Sequence, residues 1–266
     1  MKQVPTPQTS RSDDLFATLL GLANDVLSNK PEVVVCGVGC GGPMVGSGAA
    51  VSPLNIPGWR EFPLRERLRE SLGMDVHIDN DAKALALGEA WFGAGRNLSN
   101  FLAMVVSTGI GGGLFVDGRL LDGGDGNAGH IGHVIVEPEG ADCACGSRGC
   151  LEAEASGPAI SRRLGGDPST ASAQEKRRAG MLVGRAVASA VNLLDLEHVL
   201  IGGSVALGFG DEFFAAANME LFERCHLDFS RGVRISPVGL GAEAPLVGAA
   251  VVGFRSLGID ARTRSI

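Results

Sequence analysis

Hydrophobic and polar positions along the chain alternate with two different periods, which predict strands and helices in turn. Leu15, Leu19, Leu22 and Val26 recur at helical spacing, which indicates a helix over about 13–29. Further helices are predicted at about 63–72, 81–92, 152–163, 173–194 and 211–224, and a last one from Pro245. Short valine-rich runs predict buried strands at about 32–39, 49–52, 76–78, 198–201 and 233–238. Residues 101–117 have the pattern of a hairpin with a glycine turn.

This order of elements predicts an α/β protein with mixed sheets. The 266 residues are enough for two lobes, each with a core of its own. We expect a smaller lobe at 1–78, completed by residues 247–266, and a larger lobe at 79–246.

Charge and composition narrow the classes of partner. The net charge is −7 and no basic block is present, so we expect no nucleic-acid partner. No apolar run reaches the roughly 18 residues of a membrane-spanning helix, and the first residues lack the apolar stretch of an export signal. We therefore expect a cytoplasmic protein without a membrane partner. The 40 glycines cluster at the ends of apolar runs, which indicates tight turns close to a ligand.

The strongest chemical signal is a group of three cysteines within eight residues, Cys143, Cys145 and Cys150. With His133 they make a three-thiolate, one-imidazole set, which is typical of a closed structural zinc site. The alternative is that these are small buried residues beside a surface histidine. That alternative suits a single cysteine better than three in such a short loop.

Several motifs resemble the ROK family of sugar kinases and repressors. Gly132-His133 followed by CxCGxxGCxE, which ends at Glu152, resembles the family signature. The segments at 106–114, 80–82 and 192–206 resemble the family as well, so the similarity extends over almost the whole chain. The resemblance implies an actin-like ATPase (ribonuclease H-like) fold with two lobes. It also implies a sugar kinase of the glucokinase or N-acetylmannosamine kinase type, which commonly forms homodimers.

Glycine-rich turns suggest where a nucleotide binds. The turn at 107–112 follows a strand, so consecutive N–H groups can converge on an anion, although a plain tight hairpin fits the glycines equally well. An ordinary turn before a helix is likewise an alternative for the Gly-Gly pair at 202–203. The resemblance implies that ATP binds at Thr108, Gly109, Gly111, Gly112, Gly202 and Gly203.

Asp81 is the candidate general base. It stands at a helix start, where the helix dipole favours its ionised form, and a capping aspartate is the alternative reading. Phosphoryl transfer to a hydroxyl needs a carboxylate that accepts the proton. The resemblance implies phosphorylation of a hexose at its 6-hydroxyl by ATP and Mg²⁺, with Asp81 as the base. It implies sugar contacts from Asn80, Asp81, His130, His133 and Glu152.

Three positions depart from the family pattern. The Asp-x-Gly-Gly-Thr motif is absent, and VPTP at 4–7 resembles the end of the third strand of the hairpin that carries it. Either the native chain begins further upstream and the fold is shortened at its N-terminus here, or the protein is a catalytically impaired sugar-binding homologue. The later motifs favour the first explanation. His130 replaces the usual glutamate, which leaves the hexose open. Lys83 replaces an asparagine. One interpretation is that it brings a positive charge close to the phosphate or to Asp81, and the alternative is that it is a solvated lysine on the helix surface.

Two other classes of protein are disfavoured. Residues 37–42 satisfy GxGxxG after a strand, which is typical of dinucleotide-binding folds, but Pro43 and another strand follow where a helix should begin. The repressors of the family carry a helix-turn-helix domain ahead of the shared core. The first predicted helix of that core begins near residue 13, so we expect an enzyme rather than a repressor.

Overall fold

The computed structural model describes residues 1–7, 9–28, 30 and 32–260, so residue 29 of the first predicted helix and residues 261–266 of the predicted small lobe lie outside the described part. The helices are α1 (Ser12–Leu27), α2 (Leu64–Leu72), α3 (Asp81–Phe92), α4 (Leu151–Ala155), α5 (Gly157–Leu164), α6 (Ala173–Leu194), α7 (Ser204–Phe209), α8 (Asp211–Arg224) and α9 (Ala244–Ser256). The strands are β1 (Val35–Cys40), β2 (Met44–Val45), β3 (Ala50–Val51), β4 (Asp75–Asn80), β5 (Phe101–Val106), β6 (Ile110–Val116), β7 (Arg119–Leu120), β8 (His198–Gly202) and β9 (Ile235–Pro237).

The larger sheet has five strands in the order β7-β6-β5-β8-β9. The hairpin β5–β6 is antiparallel, whereas β8 pairs in parallel with β5 and β9 pairs in parallel with β8. Helices α4, α6, α7 and α8 contribute to the apolar core on one face of this sheet, and α3 covers the other face. Because both faces are covered, β5 is buried almost throughout.

The smaller sheet consists of β1 and β4, which pair in parallel from Val35–Asp75 to Cys40–Asn80. A short antiparallel hairpin, β2–β3, stands beside it. Helices α1 and α2 pack against these strands in a separate apolar cluster that includes the stacked rings of Trp59 and Phe62.

Helices α3 and α9 lie between the two sheets, with α3 against the larger sheet and α9 against β1 and β4. The residues of α3 from Ala82 to Trp91 are all buried, as expected of a helix covered on every side. Close packing requires small residues, since a Cβ on Gly248 would overlap the carbonyl oxygen of Ala84. The junction of β4 with α3, at Asn80 and Asp81, is thereby held between the sheets.

Some predicted elements differ in detail. The helix expected at 152–163 is interrupted at Ser156, whose Oγ accepts the N–H of Ala159 at 3.3 Å and caps α5. Strand β1 begins at Val35 rather than at 32, and the two-residue strands β2 and β7 and the short helix α7 were not predicted. VPTP at 4–7 forms no strand.

The mixed α/β prediction is confirmed, and residues 41–51 form a turn and a hairpin rather than the helix a dinucleotide motif needs. The lobe boundaries near residues 78 and 247 stay a prediction. Within residues 1–7, 9–28, 30 and 32–260, no helix combines the length and the apolar character required to span a bilayer.

Candidate functional site

A cavity of about 320 Å³ opens where the carboxyl ends of β1 and β4 approach the β5–β6 turn. Eight of the residues predicted for substrate or nucleotide line it: Asn80, Asp81, Thr108, Gly109, Gly111, His130, His133 and Glu152. Gly42 and Asn55 line it too, although the sequence analysis assigned neither residue to the site. The structure therefore brings both carboxylates, Asp81 and Glu152, into one cavity.

Asn80 is the residue that caps α3. Its Oδ1 accepts the N–H groups of Ala82 at 3.0 Å and Lys83 at 3.3 Å. Asp81 is the first residue of the helix, and its Oδ1 accepts the neighbouring N–H of Ala82 at 2.8 Å. The interpretation of Asp81 as the capping aspartate is therefore wrong. Because Asn80 performs that task, the second oxygen of Asp81 is available to a ligand.

The Asp81 carboxyl is more basic than an ordinary aspartate. Solvent reaches the side chain through the cavity, yet the surrounding walls desolvate it, and this burial raises its pKa. The N–H of Ala82 and the charge of His130 lower the pKa, while the charge of Glu152 raises it further. We expected the helix start to dominate and favour ionisation, but burial is the larger effect. A raised pKa suits a group that must accept a proton.

The β5–β6 turn uses several of its N–H groups internally. Ser107 donates to the carbonyl oxygen of Gly109 at 3.0 Å, and Ile110 donates to Glu152 Oε2 at 2.9 Å. Gly112 donates to the carbonyl oxygen of Gly129 at 2.8 Å and does not line the cavity, so its predicted nucleotide contact is not supported by its position. Within the described residues, the N–H groups of Thr108 and Gly109 make no hydrogen bond, so they remain for an anion.

Gly202 and Gly203 lie at the end of β8 and do not line this first cavity. Gly203 has φ +96°, and a Cβ there would overlap the carbonyl group of Val106. The next residues, Ser204 and Val205, line a second cavity of about 730 Å³.

The second cavity adjoins the first, since Ser107 and Thr108 line both. Its other walls are largely apolar and include Pro158, Val205 and Phe209. The sequence analysis did not assign these wall residues, although it singled out the Gly-Gly pair at 202–203, which directly precedes Ser204 and Val205.

His133 and the three cysteines converge as predicted. His133 Nδ1 lies 3.7 Å from Cys143 Sγ, and the Sγ atoms of Cys145 and Cys150 are also 3.7 Å apart. All four ligand atoms lie within 4.8 Å of one another. Ligands at tetrahedral Zn²⁺ bond lengths are separated by about 3.5–3.8 Å. The four residues therefore fit a closed zinc site, and His133 contributes to the cavity wall as well.

Lys83 matches neither interpretation given to it. Its side chain is almost fully buried, and its Nζ lies 2.9 Å from Asp79 Oδ1 and 2.8 Å from Asp122 Oδ1. It also donates to the carbonyl oxygen of Gly126 at 3.3 Å. Lys83 is therefore neither solvated nor part of the cavity lining, and it ties α3 to the segment that leads to His130.

Comparisons with known proteins agree with this fold. In structure the chain resembles a ROK family glucokinase from Streptomyces griseus, crystallised with glucose and AMPPNP, with a TM-score of 0.82 at 26% identity over 95% of this chain and 90% of that one. Such an architecture is the actin-like ATPase fold, as predicted.

The family itself follows from sequence comparison. The model of the ROK family matches residues 1–253. The chain is 34% identical over 258 residues to a glucokinase from Thermotoga maritima, which covers 85% of this chain and 81% of that protein. It is 31% identical over 271 residues to an N-acetylmannosamine kinase from Haemophilus influenzae, covering 94% and 86% respectively. The chain belongs to the ROK family.

Proposed function

We propose that this protein is an ATP-dependent hexose kinase, which phosphorylates the 6-hydroxyl of a glucose- or N-acetylhexosamine-type sugar. The observation that carries the proposal is the position of Asp81 in a polar cavity that meets a second, more apolar cavity at Thr108. The relatives named glucokinase and N-acetylmannosamine kinase support the same class of reaction.

The first cavity suits a sugar because it offers both hydrogen-bond donors and acceptors. The carboxylates of Asp81 and Glu152 accept bonds from hydroxyl groups, and the side-chain N–H₂ of Asn80 donates. At about 320 Å³ the cavity falls within the usual size range of small-molecule sites. A polyol that fills it would place one hydroxyl against Asp81.

The second cavity suits a nucleotide. Pro158, Val205 and Phe209 provide apolar surface for a base, and Arg162 and Asp167 place one positive and one negative charge on the cavity wall. The free N–H groups of Thr108 and Gly109, with the Thr108 hydroxyl, would hold the terminal phosphate where the cavities meet. A phosphate there would face the sugar hydroxyl that contacts Asp81.

In the reaction, the 6-hydroxyl oxygen bonds to the γ-phosphorus as the bond from that phosphorus to the bridging oxygen of ADP breaks. The hydroxyl proton passes to the Asp81 carboxylate. Mg²⁺ would be held mainly by the phosphates of ATP, near the carboxylates of Asp81 and Glu152 that line this cavity, and it would neutralise phosphate charge. Asp81 then returns its proton to water after the products leave.

We further propose that His133, Cys143, Cys145 and Cys150 hold a structural Zn²⁺, which fixes the His133 ring beside the sugar. A zinc ligand bound through Nδ1 keeps its Nε2 edge for a second interaction, which orients the ring. Assembly as a homodimer stays a prediction.

The test is an ADP-release assay with ATP, Mg²⁺ and a panel of glucose, mannose, N-acetylglucosamine and N-acetylmannosamine. We expect turnover of at least one sugar, and two-dimensional ¹H–³¹P NMR should place the phosphate on the 6-oxygen. The 6-deoxy analogue of that sugar should inhibit without being phosphorylated. If the folded protein bound a sugar but phosphorylated none of the panel, the non-catalytic alternative would replace this proposal.

A further inference from the structure

Two side chains, those of Lys83 and Asn127, fasten the segment that carries His130, residues 122–130 and here called the His130 loop, to the rest of the protein. At its beginning, buried Lys83 pairs with Asp122 and donates to the carbonyl oxygen of Gly126. The second fastening is the side chain of Asn127. Neither contact belongs to the regular hydrogen bonding of a helix or strand, so both depend on particular side chains.

Asn127 bonds to the backbone of Met44 in β2 with both halves of its amide. Met44 N donates to Asn127 Oδ1 at 2.8 Å, and Asn127 Nδ2 donates to the carbonyl oxygen of Met44 at 2.9 Å. Strand β2 stands beside the smaller sheet, whereas the His130 loop follows β7 of the larger sheet. One side chain therefore joins structure from both sides of the cavity.

The main chain of Asn127 determines which nitrogen of His130 carries the proton. Its carbonyl oxygen lies 2.8 Å from His130 Nδ1. A carbonyl can only accept, so Nδ1 must be the donor. In the neutral ring Nε2 is then unprotonated and acts as a hydrogen-bond acceptor.

Nε2 faces a space kept free by a glycine. A Cβ on Gly42 would lie 3.0 Å from His130 Nε2 and 3.2 Å from Asn80 Nδ2. An acceptor and a donor therefore stand around the same small volume of the cavity. A sugar hydroxyl both donates and accepts, so it can satisfy both groups at once.

We infer that Asn127 is a positioning residue of the sugar site that acts through His130. Its side chain fixes the loop to β2, and its carbonyl oxygen fixes the tautomer, so that Nε2 accepts a bond from one sugar hydroxyl. The inference rests on the proposed function. It explains how a histidine presents a hydrogen-bond acceptor at this position.

The test compares four variants with the wild-type enzyme: Asn127→Ala, His130→Ala, the double variant, and Asn218→Ala as a matched control. Asn218 makes the same two-bond pair with a backbone, that of Ile235, at 2.9 Å for each bond, but it lies outside the cavity lining. We expect Asn127→Ala to raise the KM for sugar about tenfold, with kcat and the KM for ATP changed by less than about threefold. Asn218→Ala should lower the melting temperature and leave the KM for sugar unchanged.

The double variant tests whether Asn127 acts through His130. If Asn127 acts through His130, adding Asn127→Ala to His130→Ala should change the KM for sugar by less than about twofold. An unchanged KM in Asn127→Ala, or fully additive effects in the double variant, would overturn the inference.

A spectroscopic measurement on the wild-type protein covers the case in which a variant does not fold. The ¹⁵N shifts of the His130 ring should show a protonated Nδ1 and a bare Nε2 at a pH where the ring is neutral. The opposite tautomer would overturn the inference. A wild-type protein that phosphorylates no hexose would contradict the proposed function instead, and the ¹⁵N shifts would still decide the tautomer that the carbonyl oxygen of Asn127 imposes on His130.

Discussion

Glu152 and Ile110 are joined within the cavity by a hydrogen bond of 2.9 Å from the Ile110 N–H to Glu152 Oε2. Glu152 stands in the first turn of α4, two residues after Cys150 of the candidate zinc site, and Ile110 begins β6 directly after the turn that would hold phosphate. The bond therefore connects the proposed sugar wall to the proposed phosphate turn. One carboxylate oxygen supports the turn, and the other is available to a sugar hydroxyl.

Substitution of Glu152 should accordingly affect both substrates. We expect Glu152→Ala to lower kcat/KM for sugar by about 10- to 100-fold and to raise the KM for ATP, because the Ile110 N–H loses its partner. Glu152→Gln keeps an oxygen that can accept from Ile110, so its KM for ATP should stay close to that of the wild type. Steady-state kinetics with each substrate varied in turn will measure this. An ATP KM that is equal in all three proteins would show that the bond does not support the turn.

Burial of Asp81 makes a prediction about stability and pH. Burial raises the pKa of Asp81 in the folded state above the roughly 3.9 of an unfolded chain, so the folded protein holds that proton more tightly. The stability contributed by this group is therefore complete below the unfolded pKa and is lost as the pH rises through the folded pKa. Asp81→Asn should raise the melting temperature at pH 7, and the gain should shrink towards pH 4.

Asp167 provides a control with the opposite sign. Hydrogen bonds from Ser169 lower the pKa of this exposed carboxyl, so its contribution to stability is present above the unfolded pKa and is lost in acid. Asp167→Asn should therefore not raise the melting temperature at pH 7. Thermal melts of the three proteins from pH 4 to pH 8 make the comparison. A lower melting temperature of Asp81→Asn at pH 7 would contradict the assignment of burial as the main effect.

Lys83→Met should destabilise the protein. The change leaves Asp79 and Asp122 without their cation, and the Asp79 side chain is only 17% exposed. Removing one partner of a fully buried ion pair costs about 3–5 kcal/mol, and because both carboxylates retain some access to water we expect about 2–3 kcal/mol here. Urea unfolding measures the change in the free energy of unfolding.

The exposed pair of Arg231 with Asp228 is the matched control for Lys83. Arg231→Met should cost less than about 0.5 kcal/mol. If Lys83→Met and Arg231→Met lowered the free energy of unfolding by the same amount, the buried lysine would not hold the His130 loop.

The candidate zinc site predicts about one Zn²⁺ per chain in freshly purified protein. Cys145→Ser should lose the metal and raise the KM for sugar, because His133 would no longer be held beside the cavity. Cys36→Ser, outside the cluster, should retain both properties. Mass spectrometry for metals and kinetics on the same preparations test this. Wild-type protein with far less than one zinc per chain would refute the site.

The sequence predicts the parts of the fold that depend on local patterns. The valine-rich run before Cys40, the hairpin at 101–117 and the cysteine spacing all rest on near neighbours in sequence, and the structure contains each of them. Lys83 was misread because two of its three partners, Asp122 and Gly126, are 39 and 43 residues away along the chain. The break at Ser156 was missed although Gly157 and Pro158 follow it directly and are typical of the start of a new helix. Gly112 was assigned to the phosphate site because a glycine in a turn does not show whether its N–H binds a ligand or a carbonyl group of the protein. In the structure this N–H donates to the carbonyl oxygen of Gly129.

The most direct measurement of the central claim separates sugar binding from phosphoryl transfer in Asp81→Asn. Asparagine retains an oxygen that can accept from Ala82 and a polar surface for the sugar, but it cannot take up a proton. Calorimetry should show a sugar dissociation constant within about tenfold of the wild-type value, while kcat with ATP and Mg²⁺ should fall by about 10²- to 10⁴-fold. A variant that keeps its turnover within a few-fold of the wild type would contradict the assignment of Asp81 as the general base.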